Sequence, residues 1–460
     1  MTSLVSLRLH PFKSYLDAAL TFEPLTIIIG RNASGKSNAL DALEFLSRVA
    51  RGLDIRDSLD GRVDGLPPVR GGSLGAPPVG SREHLFRTTV EIEDEELGRL
   101  IYELSIGTDP QPRVLEEKLT LVPHKGKQRL LIESVPQPDV YRWDIDARIH
   151  SDKRGTNPRF TYSSAQSICY QVTHRLEPSS VARRLVVTAS NSVLQTLLAV
   201  FHLDPVPSAM RSYVPEKDVE LRRDASNLSA ALFNLSRGDR SRLNRHDERE
   251  VGWGDATMHQ IMVALNSLPE HQINRLNFVR TDLGDVMAVL EETFAGSVEQ
   301  IPARQMSDGM LRMLAITTAV LGGGASLALS SAPATSASSD QAASPTILIE
   351  ELENGLHPSQ AGNVLRLLLG RAGRERLIVT THSPALLNVL PGDLHRGVLV
   401  VSRDADSGIT SVDRLIDLPG YQRSLATDTL GGLVESGRLA DAYKAPSTRA
   451  TSLAEILGGF

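Results

Sequence analysis

Apolar and polar residues alternate at the start of the chain in a way that predicts a β-hairpin. Residues 3–9 alternate, and a second short run at residues 18–22 follows a polar turn. The wholly apolar run at residues 25–29 predicts a buried strand, and apolar positions spaced three apart from residue 40 predict a helix directly after it. The chain is therefore predicted to open with three strands and one helix.

Further strands and helices follow in separate blocks. Strand patterns separated by Gly- and Pro-containing turns predict an antiparallel meander, and from about residue 180 the apolar period becomes helical. The Gly- and Pro-rich stretch at residues 60–80 predicts a mobile loop. The meander strands are predicted at residues 86–92, 100–106, 114–122 and 129–132, and the helices at residues 192–201, 225–235 and 257–268.

The last third of the chain alternates between apolar strands and helices. Buried strands predicted at residues 346–349 and 376–381, with helices between them, indicate a parallel sheet whose chemistry lies at the carboxyl ends of its strands. Residues 322–344, mostly Gly, Ala, Ser, Thr and Pro, predict a disordered insertion. We expect four parts: the first half of an α/β domain with the meander (1–140), a mainly helical insertion (141–300), the second half of the domain (301–418) and a helical tail (419–460).

Composition and charge limit the classes of protein that fit. The chain of 460 residues has a net charge of -6, so it has no overall attraction to nucleic acid. The stretch 236–250 mixes both signs of charge and favours a solvated loop over a DNA-contacting patch. A single cysteine, Cys169, fits a reducing cytosol. We find no secretory signal and no membrane span, and we expect a soluble, cytoplasmic protein without a membrane partner.

The junction of the third strand and the first helix has the clearest chemical motif. Residues 30–37 read G-x-x-x-x-G-K-S between a strand and a helix, which is the context of a phosphate-binding P-loop. Gly30 and Gly35 allow the tight turn that points backbone N–H groups at a polyphosphate. Lys36 is expected to reach the β- and γ-phosphates of a bound nucleotide, and the Ser37 hydroxyl to bind Mg²⁺. The other predicted nucleotide-binding residues are Arg31, Asn32, Ala33, Ser34 and Asn38.

Three more motifs follow the P-loop, and their order resembles that of the ABC-type ATPases. Ser307-Asp308-Gly309 opens a predicted helix, Glu350-Glu351 ends a strand, and His382 follows the next strand. Within that class, three short motifs resemble the branch that contains SMC/RecF-like proteins and the overcoming-lysogenisation-defect (OLD) family. They are Lys13-Ser14, the run from Glu350 to Pro358, and Thr381-His382-Ser383-Pro384. The resemblance implies a P-loop NTPase fold of α/β class with a mixed central sheet, an antiparallel meander and a mainly helical inserted lobe.

The same resemblance implies a role for each motif residue. Glu350 would hold Mg²⁺, Glu351 would be the general base, and His382 would sense the γ-phosphate. Ser307 and Gly309, with Asp308 between them, would bind the γ-phosphate of ATP held by a second copy, so a homodimer or larger homo-oligomer would form around ATP. The sequence departs from the family at Arg31 and Ala33, which replace Pro and Gly, and at Glu350, which replaces Asp. The family's nucleotide-linking glutamine is not assigned, with Gln166 and Gln171 as candidates.

Several functions share these motifs. An ATP-driven switch would act on DNA or on a separate effector protein, a nuclease or toxin, in prokaryotic anti-phage defence or DNA repair. SMC-type tethering would require long heptad arms, which we do not find. An OLD-like nuclease would use Asp404 and Asp406, but residues 409–416 resemble the return strand of a hairpin. A membrane import ATPase subunit is the third possibility, and the long insertion argues against it.

Overall fold

The computed structural model describes residues 1–61, 67–78, 84–135, 143–151, 155, 157–237, 253–266, 272–294, 296–329, 343–354 and 360–436. Its strands, in chain order, are β1 (Thr2–Leu9), β2 (Ala18–Thr21), β3 (Leu25–Ile29), β4 (Leu85–Asp94), β5 (Gly98–Gly107), β6 (Arg113–Val122), β7 (Arg129–Val135), β8 (Asp144–Ile149), β9 (Arg159–Ser163), β10 (Val200–Leu203), β11 (Val214–Pro215), β12 (Ile273–Arg280), β13 (Asp285–Phe294), β14 (Ser297–Pro302), β15 (Thr346–Ile349), β16 (Arg376–Thr381), β17 (Val398–Arg403) and β18 (Thr410–Arg414). Its helices are α1 (Lys36–Ala50), α2 (Ile55–Asp60), α3 (Gly72–Gly75), α4 (Ile168–Arg175), α5 (Val181–Leu198), α6 (Leu228–Arg237), α7 (Trp253–Asn266), α8 (Asp308–Gly322), α9 (Ala361–Arg371), α10 (Pro384–Asn388), α11 (Tyr421–Leu425) and α12 (Leu430–Glu435).

Two sheets make up most of the fold. One is antiparallel, with the strand order β2-β1-β4-β5-β6-β7-β8-β9. The other is the central sheet, in the order β10-β15-β16-β3-β17-β18, in which β18 alone of the described strands runs antiparallel to its neighbour. The predicted mixed central sheet and antiparallel meander are therefore confirmed.

The central sheet is buried on both faces, which explains its nearly continuous apolar strands. In β3, the side chain of Ile28 packs into one core together with Leu40 and Leu43 of α1 and with the antiparallel sheet. Ile27 and Ile29 point to the other face and pack into a second core that includes α8 and α9. The strand therefore fixes the start of α1 against both cores.

The register of the central sheet aligns three strand ends. Ile29 at the end of β3 pairs with Thr381 at the end of β16, and Ile349 at the end of β15 pairs with Val379 of β16. Because these strands are parallel, the residues that follow them emerge at one edge of the sheet.

The stretch expected to be mainly helical also contains strands. Strands β8 and β9 extend the antiparallel sheet, β10 forms an edge of the central sheet, and β11, β12, β13 and β14 form a third sheet. The run at residues 286–290 is wholly apolar, and such a run does not distinguish a strand from a buried helix by its period.

Two segments predicted to be loops are partly packed. Val69 and Ala76, between residues 60 and 80, are buried in the first core. At the start of the predicted disordered insertion, Leu327 is 2% exposed and forms a bridge with Leu221. The rest of that insertion (330–342), most of the mixed-charge stretch (238–250), the Gly355-to-Pro358 part of the quoted motif and the end of the tail (437–460) lie outside the described residues.

No helix within the described ranges has the length and apolar character needed to cross a bilayer.

Candidate nucleotide-binding site

The predicted P-loop connects β3 to α1 through a turn that depends on its glycines. Gly35 has φ 110°, and Ala33 has φ 62°, so both have left-handed backbone conformations. A β-carbon at Gly35 would lie 2.7 Å from Thr410 Oγ1, and one at Gly30 would lie 2.2 Å from the Val401 carbonyl oxygen. Close contacts therefore require glycine at both positions, and at Gly35 the left-handed backbone requires it as well.

Lys36 lies across this loop. Its Nζ donates to the carbonyl oxygens of Gly30 (2.7 Å) and Arg31 (2.9 Å), and only 7% of the residue is exposed. Burial lowers the pKa of the Lys36 amine, and the carboxylates of Glu351, Glu353 and Glu350 oppose that shift. The amine therefore lies in a partly desolvated position, where it interacts strongly with anions.

Side chains from distant segments hold the loop in place. The Tyr15 hydroxyl donates to the Gly35 carbonyl oxygen (2.9 Å), and Asn38 Nδ2 donates to Ser14 Oγ (2.9 Å). From β18, the Thr410 hydroxyl donates to the Ser34 carbonyl oxygen (2.9 Å). The N-terminal hairpin and the last strand of the central sheet thus both support the loop. No sequence motif indicates these roles of Tyr15 and Thr410.

The acidic residues after β15 have distinct surroundings. Glu351 is exposed with φ 46°, a left-handed conformation that is strained for a residue with a β-carbon. Its backbone N–H donates to Thr380 Oγ1 (2.9 Å), and Asn354 Nδ2 donates to its carboxylate. Such backbone strain is typical of functional positions.

Arg70 connects Glu350 to the P-loop helix. Its guanidinium donates to both Glu350 oxygens (2.5 and 3.2 Å) and to Asp41 Oδ1 (2.9 Å), and its Nη2 lies 3.4 Å from the Ser37 carbonyl oxygen. Burial lowers the pKa of Arg70, but its hydrogen bonds to Glu350 and Asp41 raise it more strongly, so its net pKa is raised. A fixed positive charge therefore lies between Ser37 and Glu350, the two predicted Mg²⁺ ligands.

These two residues fit a magnesium ion. A hydroxyl oxygen and a carboxylate are ligands that Mg²⁺ prefers, and the contacts with Arg70 show that this position accommodates positive charge. Sequence reasoning missed Arg70 because it lies in a Gly- and Pro-rich stretch that was predicted to be a loop.

His382 follows β16 and is oriented by a carboxylate. Its Nδ1 lies 2.7 Å from Glu353 Oε1, and its backbone N–H donates to the same oxygen. Because β16 lies between β3 and β15, this histidine emerges between the P-loop and the acidic residues. The structure thus brings together the P-loop, Glu350, Glu351 and His382 at one sheet edge.

The Ser307-Asp308-Gly309 motif has its own contacts at the start of α8. Ser307 is the exposed N-cap of α8 and accepts from the Met310 backbone N–H (3.2 Å), while Asp308 pairs with Arg211. Arg211 also donates to the Met306 carbonyl oxygen (2.7 Å), which fixes the loop. Across the described residues, no hydrogen bond or ion pair links this motif to the P-loop.

Asp404, the nuclease candidate, and the glutamine candidates Gln166 and Gln171 make hydrogen bonds within the fold. Strands β17 and β18 pair as the predicted hairpin, and Asp404 Oδ1 accepts from the Ser407 backbone N–H (2.7 Å) in its turn. These bonds to Ser407 lower the pKa of the Asp404 carboxyl. Gln171 bonds the backbone of Ser163 through both ends of its carboxamide, and Gln166 donates to the Gly52 carbonyl oxygen (2.8 Å).

Solved structures of SMC head domains align with nearly the whole chain at low identity. One is the Smc head domain with an extended coiled coil bound to the C-terminal domain of ScpA, derived from Pyrococcus furiosus, at 14% identity and a TM-score of 0.44, covering 93% of this chain and 100% of that one. Another is the SMC head domain from Thermotoga maritima, at 11% identity and a TM-score of 0.37, covering 90% and 98%.

One curated relative matches a short segment. The DNA replication and repair protein RecF of Synechococcus sp. (strain JA-2-3B'a(2-13)) is 44% identical over 55 residues, which are 12% of this chain and 14% of that protein. This match confirms the predicted resemblance to the RecF-like branch of ABC-type ATPases.

A protein-family model matches a much longer part of the chain. The match covers residues 25–388, from the strand that enters the P-loop to the helix after His382. It therefore includes every residue predicted for the ATPase site, and the chain belongs to the family described as "AAA domain, putative AbiEii toxin, Type IV TA system".

Proposed function

We propose that the protein hydrolyses ATP to ADP and phosphate and dimerises around the nucleotide. The observation that supports this most strongly is the convergence of Lys36, Glu350, Glu351 and His382 at adjacent strand ends of one sheet. Family membership and the match to RecF support the same conclusion.

Each residue at this edge has a distinct task in the proposed reaction. Lys36 and the backbone N–H groups of the loop bind the β- and γ-phosphates, and Ser37 and Glu350 hold Mg²⁺. The metal ion, when bound, neutralises phosphate charge. Glu351 takes the proton of the water that attacks the γ-phosphorus as the bond to the ADP oxygen breaks. His382, oriented by Glu353, binds the γ-phosphate.

The proposed dimer follows from the position of Ser307 and Gly309. They are separated from the chain's own P-loop in the described contacts, and Ser307 is exposed at the start of α8, where backbone N–H groups are available to an anion. We propose that these groups bind the γ-phosphate of ATP held by a second copy. ATP binding would then close the dimer, and hydrolysis would reopen it.

The proposed role of this switch is to act on DNA or on a separate effector protein. The name of the RecF relative refers to DNA replication and repair, and the family description refers to a toxin system. Both are consistent with a role in DNA repair or in defence against phages.

The first experiment compares the wild type with Lys36→Ala and Glu351→Gln. Lys36→Ala is expected to weaken ATP binding about 100-fold or more because the phosphates lose a charged partner. Glu351→Gln is expected to keep binding, to slow phosphate release about 100-fold and to accumulate the dimer, because the general base is lost. Binding is measured by calorimetry and dimerisation by light scattering.

Lys125→Ala is the matched control, because Lys125 is an exposed lysine in the turn between β6 and β7. It should behave as the wild type. Hydrolysis by Glu351→Gln at the wild-type rate would refute the assignment of the base, and unimpaired ATP binding by Lys36→Ala would refute the nucleotide site.

A further inference from the structure

A buried histidine lies between the P-loop helix and Glu350. His202 is 6% exposed and belongs to β10, which pairs with the strand that carries Glu350 at its end. Its Nδ1 lies 2.9 Å from Glu44 Oε2 on α1, and its Nε2 lies 3.9 Å from Glu350 Oε1. The imidazole therefore spans the space between these two carboxylates.

The contacts of Glu44 show that Nδ1 of His202 bears a hydrogen. Arg48 donates to Glu44, and Arg223 Nη1 donates to it at 2.5 Å. Burial raises the pKa of Glu44, but His202, Arg223 and Arg48 lower it to about 2 overall. Glu44 is thus a carboxylate that only accepts hydrogen bonds, so Nδ1 of His202 donates to it.

Nε2 of His202 is left without a hydrogen-bond partner among the described residues. An unsatisfied buried nitrogen is costly, by about 1–3 kcal/mol, and is therefore unusual. The distance of 3.9 Å is too long for a direct hydrogen bond to Glu350, whose two oxygens already accept from Arg70. This nitrogen therefore faces Glu350 without a hydrogen-bond partner in the described part of the chain.

We propose that His202, held by Glu44, is a positioning residue for the metal ion of this site, and that its Nε2 accepts a hydrogen bond from a water molecule of the Mg²⁺ shell. Mg²⁺ keeps several of its water ligands in proteins, and such waters donate hydrogen bonds to nearby acceptors. Removing a group that hydrogen-bonds to the ligands of a metal ion typically changes metal affinity by about 10- to 100-fold. The inference rests on the proposed ATPase function, because it assumes that Glu350 holds Mg²⁺.

The test variant is His202→Asn. The asparagine carboxamide reaches the position of Nδ1 and can still donate to Glu44, but it has no atom at the position of Nε2. The dissociation constant of a fluorescent, non-hydrolysable ATP analogue is measured in EDTA and again with excess Mg²⁺. In EDTA we expect the constant of His202→Asn to equal that of the wild type. The gain in affinity on adding Mg²⁺ should be about tenfold smaller.

His395→Asn is the matched control. His395 is also 6% exposed and is bonded through Nδ1 to the Tyr421 hydroxyl, but it lies in a short 3₁₀ helix (Gly392–Gly397) away from the acidic strand end. The increase in its affinity for the ATP analogue on adding Mg²⁺ should equal that of the wild type.

The outcomes separate this inference from the proposed function. If the wild type binds the analogue and gains affinity with Mg²⁺, and His202→Asn shows the same gain, the positioning role is refuted while the nucleotide site stands. If the wild type does not bind the analogue, the proposed function itself is refuted. If His202→Asn fails to fold, His202→Gln takes its place, because glutamine retains a polar atom near the position of Nε2. Mg²⁺ must then increase the affinity of His202→Gln for the analogue as much as it does for the wild type, or the inference is refuted.

The metal can also be replaced by Mn²⁺ for a spectroscopic test. With the analogue bound, pulsed electron paramagnetic resonance should show no directly coordinated histidine nitrogen. A strong nitrogen coupling that disappears in His202→Asn would overturn the assignment of Nε2 to the outer shell.

Discussion

Glu375 directly precedes β16, the strand that His382 follows, and so lies at the opposite edge of the central sheet. It is 6% exposed, and its Oε2 has no hydrogen-bond partner in the described part of the chain. Burial raises its pKa to about 7, although Arg371 and Arg374 oppose the shift. This carboxyl group therefore binds its proton more tightly in the folded protein than its ordinary value of 4.5 implies.

The pH dependence of stability follows from this difference. Between about pH 4.5 and 7 the folded state holds the proton that the unfolded state has released, so stability falls as the pH rises. Glu375→Gln removes this effect and is expected to raise the free energy of unfolding by about 1–2 kcal/mol at pH 8 but not near pH 4.5. Urea denaturation at both pH values measures this, and an equal gain at both would contradict it.

Residues close in sequence could be predicted at the site, whereas pairs distant in sequence could not. Gly35, Lys36 and Ser37 form one local motif, whose spacing reflects how a backbone turn binds phosphate. Arg70 and Glu350, by contrast, are 280 residues apart, and only the folded sheet brings them together. The left-handed backbone of Glu351 is likewise imposed by its surroundings, because glutamate has no local preference for it.

At the scale of elements, apolar patterns predicted the strands that form the centre of the fold. β3, β15 and β16 are short apolar runs, and α1 has a regular apolar spacing, so these elements were recognised. Strand β12 was missed because it is largely exposed and does not alternate regularly. The hairpin of β17 and β18 was predicted, but its contact with the P-loop was not.

That contact provides a test of the hairpin. Thr410→Val keeps the shape of the side chain but removes the hydroxyl that donates to the Ser34 carbonyl oxygen. The same hydroxyl also lies 2.7 Å from Ser14 Oγ. Losing both contacts is expected to weaken ATP binding about fivefold, which corresponds to about 1 kcal/mol. Titration calorimetry measures the change, and Thr410→Ser, which keeps the hydroxyl, is the control. Binding by Thr410→Val equal to that of the wild type would show that the hairpin does not support the loop.

At the scale of the whole molecule, the P-loop and the Ser307 motif lie on different structural elements. The P-loop joins β3 to α1, which packs in the first core, whereas α8 starts at the exposed Ser307 and packs in the second core. The family resemblance implied that a second copy unites them, and the described contacts are consistent with that proposal.

Ser307→Arg tests the shared site. The large side chain should leave ATP binding to one copy intact but block the approach of the second copy, so turnover is expected to fall about 100-fold. Binding and phosphate release are measured on the same samples. Ser180→Arg changes another helix N-cap in the same way, at the start of α5, and should keep full turnover. Full activity of Ser307→Arg would contradict the shared site.

The guanidinium of Arg70 has a consequence for how the site is loaded. Since it donates to both oxygens of Glu350, an incoming cation either shares this carboxylate with Arg70 or displaces it. Where the ion displaces Arg70, a divalent charge replaces a monovalent one and the local charge rises by about one unit. A reporter attached near Arg70 is therefore expected to respond to occupancy of the site wherever the guanidinium is displaced.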